Sequence, residues 1–215
     1  IKNGRVDGKK FSFAGNDQLK SAVEQAEFAG IGYDPKTPGL ITAQVKLTGG
    51  QFASVDSSKV GEGLAVDGSV AITAREGSGT TAFVARLNLT AGELLWGKFF
   101  GDLKSQKPAL LLDAEYFRAN DRLQCHRCDL TLAAVGQVNL TGSVEQVTGA
   151  PQLRLQARSG NLSPAGFFEF FLRETFNRQY PLLDKLAVSG QMTIQLQVDG
   201  ALEQLAASGN LALKS

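Results

Sequence analysis

The sequence predicts a mainly β fold, an antiparallel sheet that shields apolar surface, with one Phe-rich helix at about residues 163–180 set against it. Three observations carry this. Apolar and polar residues alternate with period two over most of the chain, the pattern of half-buried strands. The 24 glycines against 6 prolines suit many tight turns. The stretch Ser163–Pro181, SPAGFFEFFLRETFNRQYP, abandons the alternation altogether.

That stretch reads as a helix with its own start and stop. Ser163 is placed to accept a bond from a free backbone N–H of the first turn. Pro164 follows at the first helical position, where its missing donor costs nothing. Pro181 forces the residue before it out of helical geometry. Between them lie Phe167, Phe168, Phe170, Phe171, Leu172, Phe176 and Tyr180, and five of the chain's 13 phenylalanines fall within ten residues. Apolar positions cover most of the circumference, which predicts burial on more than one side. The polar positions Glu169, Arg173, Glu174 and Arg178 are balanced in charge, unlike the basic face of a membrane-surface helix.

The strands follow in order. Phe11 and Phe13 flank Ser12. Asp17–Ala29 is ambiguous, with Leu19, Val23 and Ala26 at helical spacing and an extended reading from Glu27 to Tyr33. A loop is expected at Tyr33-Asp34-Pro35 and Thr37-Pro38-Gly39. In Leu40–Leu47, Ile41, Ala43, Val45 and Leu47 share a face against Thr42, Gln44 and Lys46. Val70, Ile72 and Ala74 pair naturally with Phe83, Ala85, Leu87 and Leu89 in a hairpin about Glu76–Gly79. Gly92–Leu103, with Leu94, Leu95, Trp96, Phe99 and Phe100, reads as a strand end plus a short helical turn. Later strands carry Val138 and Leu140, then Leu153, Leu155 and Ala157, then Met192, Ile194, Leu196 and Val198, and finally Leu211 and Leu213. A weak repeat, GSVEQV at Gly142 and GALEQL at Gly200, recurs 58 residues on, as stacked supersecondary units would.

At 215 residues the chain suits one β unit, with possible sub-units 1–105 and 106–215. A formal net charge of +1 with scattered Lys and Arg argues against nucleic acid, which wants a basic stripe. No apolar run approaches the ~18 residues of a spanning helix. The start at Ile1, without an initiator Met or a signal peptide, leads us to expect a piece of a longer protein or a mature chain whose targeting segment is absent.

Cys125-His126-Arg127-Cys128 is the one constellation with chemical promise. If His126-Arg127 makes a turn or a bulge, Leu123, Cys125, Cys128, Leu130 and Leu132 all face one way, although His-Arg is poor type I′ turn chemistry. C-x-x-C fits a disulfide, a pair of free thiols, or a metal or redox site. Two cysteines and one histidine fall short of a zinc set, and the surroundings lack the βαβ context of a thioredoxin-like motif. His126 is the sole histidine and reads as an exposed turn residue. Asp113 with Glu115, and Glu169 with Glu174, are carboxylate pairs that read as solvated. Asn-Leu-Thr/Ser triplets at Asn88, Asn139 and Asn161 match a glycosylation pattern, and two of them simply follow from strand alternation.

The run LTLAAVGQVNLTGSVEQV, the insert LQARSGNLSPAGFFEFFLRETF and the run LAVSGQMTIQLQVDGALEQLAASGNLAL together resemble the AsmA-like family of Gram-negative bacteria. The likeness covers about residues 109–215 and extends to the first half in style only. It implies an elongated, curved antiparallel sheet folded into an apolar-lined, taco-like groove, in a periplasmic protein tied to the inner membrane by an N-terminal anchor outside this chain. It implies phospholipid acyl chains as partners, other envelope proteins besides, and transport between the inner and outer membranes or support of outer-membrane assembly. No catalytic residue, metal or cofactor is expected. The groove-facing candidates are Leu153, Leu155, Met192, Ile194, Leu196, Val198, Leu211 and Leu213, with Phe167, Phe168, Phe170 and Phe171 lining or closing it. In the family's oxidising compartment, Cys125 and Cys128 would favour the disulfide. The competing reading is a closed β-sandwich that binds a protein partner through an edge strand.

Overall fold

The computed structural model describes residues 11–14, 19–23, 25–33, 39–75, 77–176, 179–201 and 204–214. Among the described residues thirteen strands join in one large, open, antiparallel sheet. The first half supplies β1 (Phe11–Ala14), β2 (Leu19–Val23), β3 (Gln25–Tyr33), β4 (Leu40–Ser54), β5 (Lys59–Arg75), β6 (Thr80–Trp96) and β7 (Phe99–Asp102). After a one-turn helix α1 (Leu103–Gln106) come β8 (Ala109–Phe117), β9 (Arg122–Leu132), β10 (Gly136–Glu145) and β11 (Gln152–Ser159). The helical insert follows, and β12 (Gln191–Ala201) and β13 (Gln204–Lys214) end the sheet.

The spatial order is nearly the chain order, β1-β2-β4-β5-β6-β8-β9-β10-β11-β12-β13. Two strands stand off this path for the same reason. Residues 41–48 of β4 pair with β3 and residues 51–54 with β2, so β2 and β3 share one column. Likewise β6 pairs with β8 through residues 80–88 and with β7 through residues 93–96. Pairing of β6 with β8 also carries the sheet without a break past residue 105. The described strands are a single open layer, not the two stacked layers of a closed sandwich.

The expected hairpin forms between β5 and β6, closed by Gly77 and Gly79 at positive φ. The ambiguous piece before it, Asp17–Ala29, is extended at residues 19–23 in β2 and from Gln25 on in β3, while Asp17, Gln18 and Glu24 lie outside the described residues. Of the loop expected at Tyr33–Gly39, Tyr33 ends β3 and Gly39 lies in a turn at positive φ, and residues 34–38 are outside the described residues. The predicted strand-then-turn at Gly92–Leu103 is the end of β6, β7 and the start of α1, which Asp102 caps by accepting from Lys104 N.

The aromatic insert begins as predicted: the Ser163 hydroxyl accepts from Gly166 N at 3.0 Å, with Pro164 at the first helical position. It is not one uniform helix, however. An α turn, α2 (Pro164–Phe167), leads into a π-helical stretch Phe168–Arg173 and then α3 (Glu174–Phe176). Pro181 opens a separate 3-10 turn, Pro181–Lys185, rather than merely ending the first helix.

Candidate functional site

Directly opposed residues of an antiparallel pair lie on the same face of the sheet. Following the partners across nine strands therefore traces rows on one surface. One row runs Ala43, Val70, Ala85, Leu112, Cys128, Leu140, Ala157, Leu196 and Gly209. The next runs Ile41, Ile72, Phe83, Ala114, Cys125, Gly142, Leu155, Val198 and Ala207. No polar side chain interrupts either row from β4 to β13. The opposite face carries Arg86, Asp113, Asp129, Asn139, Gln156, Gln197 and their neighbours.

On this face four of the small side chains are buried, and none of the large side chains in the two rows is. Ala85, Ala114, Cys125 and Ala157 are covered by taller neighbours, Ala114 to 1% exposure. Ile41, Ile72, Leu211 and Leu213 stand exposed, the last two at 57% and 66%. That is the signature of a face with strand neighbours beside it and no second layer above it.

Of the residues singled out from the sequence, register places Leu153, Leu155, Met192, Ile194, Leu196, Val198, Leu211 and Leu213 on this one surface. Leu155 opposes Val198, Ile194 opposes Leu211, and Met192 opposes Leu213. Ile194 N also donates to the Ser159 hydroxyl at 2.8 Å, which holds β12 against the end of β11.

The phenylalanines gather at one end of the sheet. Phe99 of β7 packs edge-on against Phe170 at 5.4 Å and stacked on Phe171 at 5.2 Å. Phe171 also touches Phe167 at 4.7 Å and Phe170 at 4.8 Å. Gly101 makes the approach possible, since a Cβ there would lie 2.8 Å from the Phe170 ring. Phe168 is buried too, under the Arg173 guanidinium 5.2 Å away, so the helix is covered on more than one side. Arg173 in turn pairs with Glu169 at 2.6 Å and donates to Leu186 O at 2.8 Å.

The insert crosses the strands rather than following them. Leu162 exchanges backbone bonds with Met192 in the column of β11, and Ser163 N donates to Val135 O at the β9–β10 turn. Phe170 meets Gly101 in the column that β7 shares with β8. Those columns are three strand spacings apart, about 14 Å, and eight residues of helix rise about 12 Å. Leu103, Val135, Leu162, Phe168, Phe170 and Met192 are all buried at this end, which makes it the main cluster of large buried apolar side chains among the described residues.

Cys125 and Cys128 lie within one strand, not on two arms of a hairpin. A β-bulge sets Asp113 opposite Arg127 and Ala114 opposite Cys125, so His126 and Arg127 together take the place of one residue. Both are exposed on the polar side, His126 Nε2 lying 3.2 Å from Glu115 Oε2. The two cysteines are free thiols with no bond joining them. Desolvation pushes the Cys125 thiol up to about 11 and raises Cys128 as well.

Sequence reading did not single out the polar cluster beside this bulge. Asp129 Oδ2 accepts from Arg127 Nε at 2.6 Å and Oδ1 from Asn139 Nδ2 at 2.7 Å. The residue is only 5% exposed, and the Arg127 hydrogen bond, followed by that of Asn139, outweighs desolvation and lowers its pKa. A signal was present in the alternating Arg127, Asp129 and Asn139, but only register brings β10 to β9. Surface hollows of about 220 and 440 Å³ flank Arg158 and Gln195, at the polar side of β11–β13. Among the described residues no group of three or more His, Cys, Asp or Glu is placed to hold a metal. Comparison with protein families, curated proteins and solved structures returned no match.

Proposed function

We propose that this chain is a segment of an AsmA-like periplasmic protein whose sheet shields phospholipid acyl chains on their way between the inner and outer membranes. It performs no chemical step. The observation that carries this reading is the unbroken apolar register across nine strands of a single-layer sheet whose large side chains stay half exposed.

Each methylene kept from water is worth ~0.8 kcal/mol, so a ~16-carbon chain crossing bare faces on the order of 12 kcal/mol. A continuous apolar face removes most of that cost at every point along it. Sliding requires no specific contact, which suits rows of Val, Leu, Ile and Ala better than a pocket. Bulges and strand glycines bend sheets, and this sheet has both, at Gly68 and Gly142 among others, in support of an elongated, curved groove. The aromatic insert closes one end of that groove. Among the described residues no helix is long and apolar enough to cross a membrane.

The test is lipid extraction from the purified protein, read by mass spectrometry. Co-purified phospholipid, lost on changing Ile194→Asp and Leu196→Asp while circular dichroism stays unchanged, supports the reading. A lipid-free wild type that takes up no phospholipid from vesicles sinks it.

A second reading rests on β13. All eleven of its residues are exposed, and its outer edge has no partner strand among the described residues. Such an edge accepts an added strand, which would make the chain a docking module for another envelope protein.

A further inference from the structure

We infer that Cys125 and Cys128 form a dithiol modification site, converted to an intrastrand disulfide by exchange with a small-molecule disulfide. The proposal is independent of lipid binding. Three residues apart in a regular strand, two side chains point to opposite faces with Cα atoms about 10 Å apart, which forbids a bond. The bulge at His126-Arg127 cancels both obstacles. Cys125 opposes Gly142 and Ala114, while Cys128 opposes Leu140 and Leu112, so three residues of β9 span two residues on either neighbour. The Cα separation falls to about two strand rises, roughly 6.7 Å, within the upper part of the range a disulfide spans. Both side chains then share the apolar face.

The surroundings favour an internal bond over a crosslink. Gly142 has no side chain to crowd Cys125 from the neighbouring strand, and its φ of 137° with Arg154 O only 2.1 Å from a would-be Cβ keeps that place empty. Cys125 is 8% exposed and also holds a contact to Leu140 O at 3.7 Å, whereas Cys128 is partly open. Cys128 is therefore the entering nucleophile and Cys125 the resolving one. The Cys128 thiolate attacks one sulfur of the reagent, and the other leaves as a thiolate. The Cys125 thiolate then attacks Cys128 Sγ in the mixed disulfide and expels the second. The sum is protein dithiol plus one disulfide giving protein disulfide plus two thiols, with the two protein protons passing to the leaving groups.

The experiment treats native protein with oxidised glutathione, then alkylates in denaturant and records intact mass. Before oxidation both thiols alkylate. Afterwards neither does, and the mass is lower by two hydrogens with no glutathione attached. The C125S variant stops at a stable glutathione adduct on Cys128, and C128S reacts more slowly than either. Wild type that retains two alkylatable thiols, halts as a glutathione adduct, or forms covalent dimers overturns the proposal. Because the wild-type readout alone decides, a variant that fails to fold leaves the test intact.

Discussion

Leu162 and Met192 exchange both backbone hydrogen bonds, Leu162 N to Met192 O at 2.7 Å and Met192 N to Leu162 O at 2.9 Å, across the whole length of the helical insert. The bridge joins the two ends of an excursion that leaves the sheet after β11 and returns at β12. Both side chains are buried, at 2% and 3% exposure. The aromatic helix is thus clamped at its root, and its far end is held by Phe99 and Gly101.

The first consequence is for stability. Phe170→Ala removes the most deeply packed ring of the cluster and should cost about 3–5 kcal/mol. Leu182→Ala, in the exposed 3-10 turn, should change stability by less than about 0.5 kcal/mol. Urea midpoints compare them directly. Equal midpoints would mean that the insert is not part of the cooperative fold.

Gly142 and Gly160 test the strand geometry. A Cβ on Gly142 would meet Arg154 O at 2.1 Å and hold a backbone φ of 137°, while Gly160 has nothing within 4 Å. Gly142→Ala is expected to destabilise by more than about 1 kcal/mol and Gly160→Ala to be neutral or slightly stabilising. Thermal melts of the two variants settle the sign.

Asp129 makes stability depend on pH. Its folded pKa is lowered, chiefly by the Arg127 hydrogen bond and then by Asn139. A depressed carboxylate contributes fully above its unfolded value of about 4, and that contribution is lost as pH falls through the folded value. Wild type should therefore lose more stability than Asp129→Asn between neutral pH and acid. Parallel pH profiles for the two proteins would rule Asp129 out as a source of acid sensitivity.

Lipid binding should be visible at a thiol. Cys128 sits in the row of Leu112, Leu140 and Leu196, so acyl chains on that face would cover it. Alkylation of reduced, native protein should slow severalfold after loading with phospholipid. An unchanged rate at demonstrated lipid occupancy would place the lipid elsewhere.

Much of this was legible from the residues. The alternation from Leu40 to Leu47 and from Met192 to Val198 marks faces because side chains in a strand repeat every second residue. Ser163 and Pro164 marked a helix start because capping is chemistry between neighbours. The bulge at His126-Arg127 was only one of two readings, since a turn and a bulge leave Cys125 and Cys128 on the same side. The split of the helix by a π-helical stretch had no local signal in the run of phenylalanines.

By itself, then, the sequence determined that strands dominate, which residues of each strand share a face, and where the aromatic helix begins. Tertiary structure decided that β3 and β7 leave the main path, that β9 continues through its bulge as one strand, and that the insert crosses three columns to reach Phe99. The physical reason is range. A period of two assigns faces whatever the order of strands. Neighbours, bulges and the Leu162–Met192 bridge depend on pairings between distant residues that no local pattern encodes.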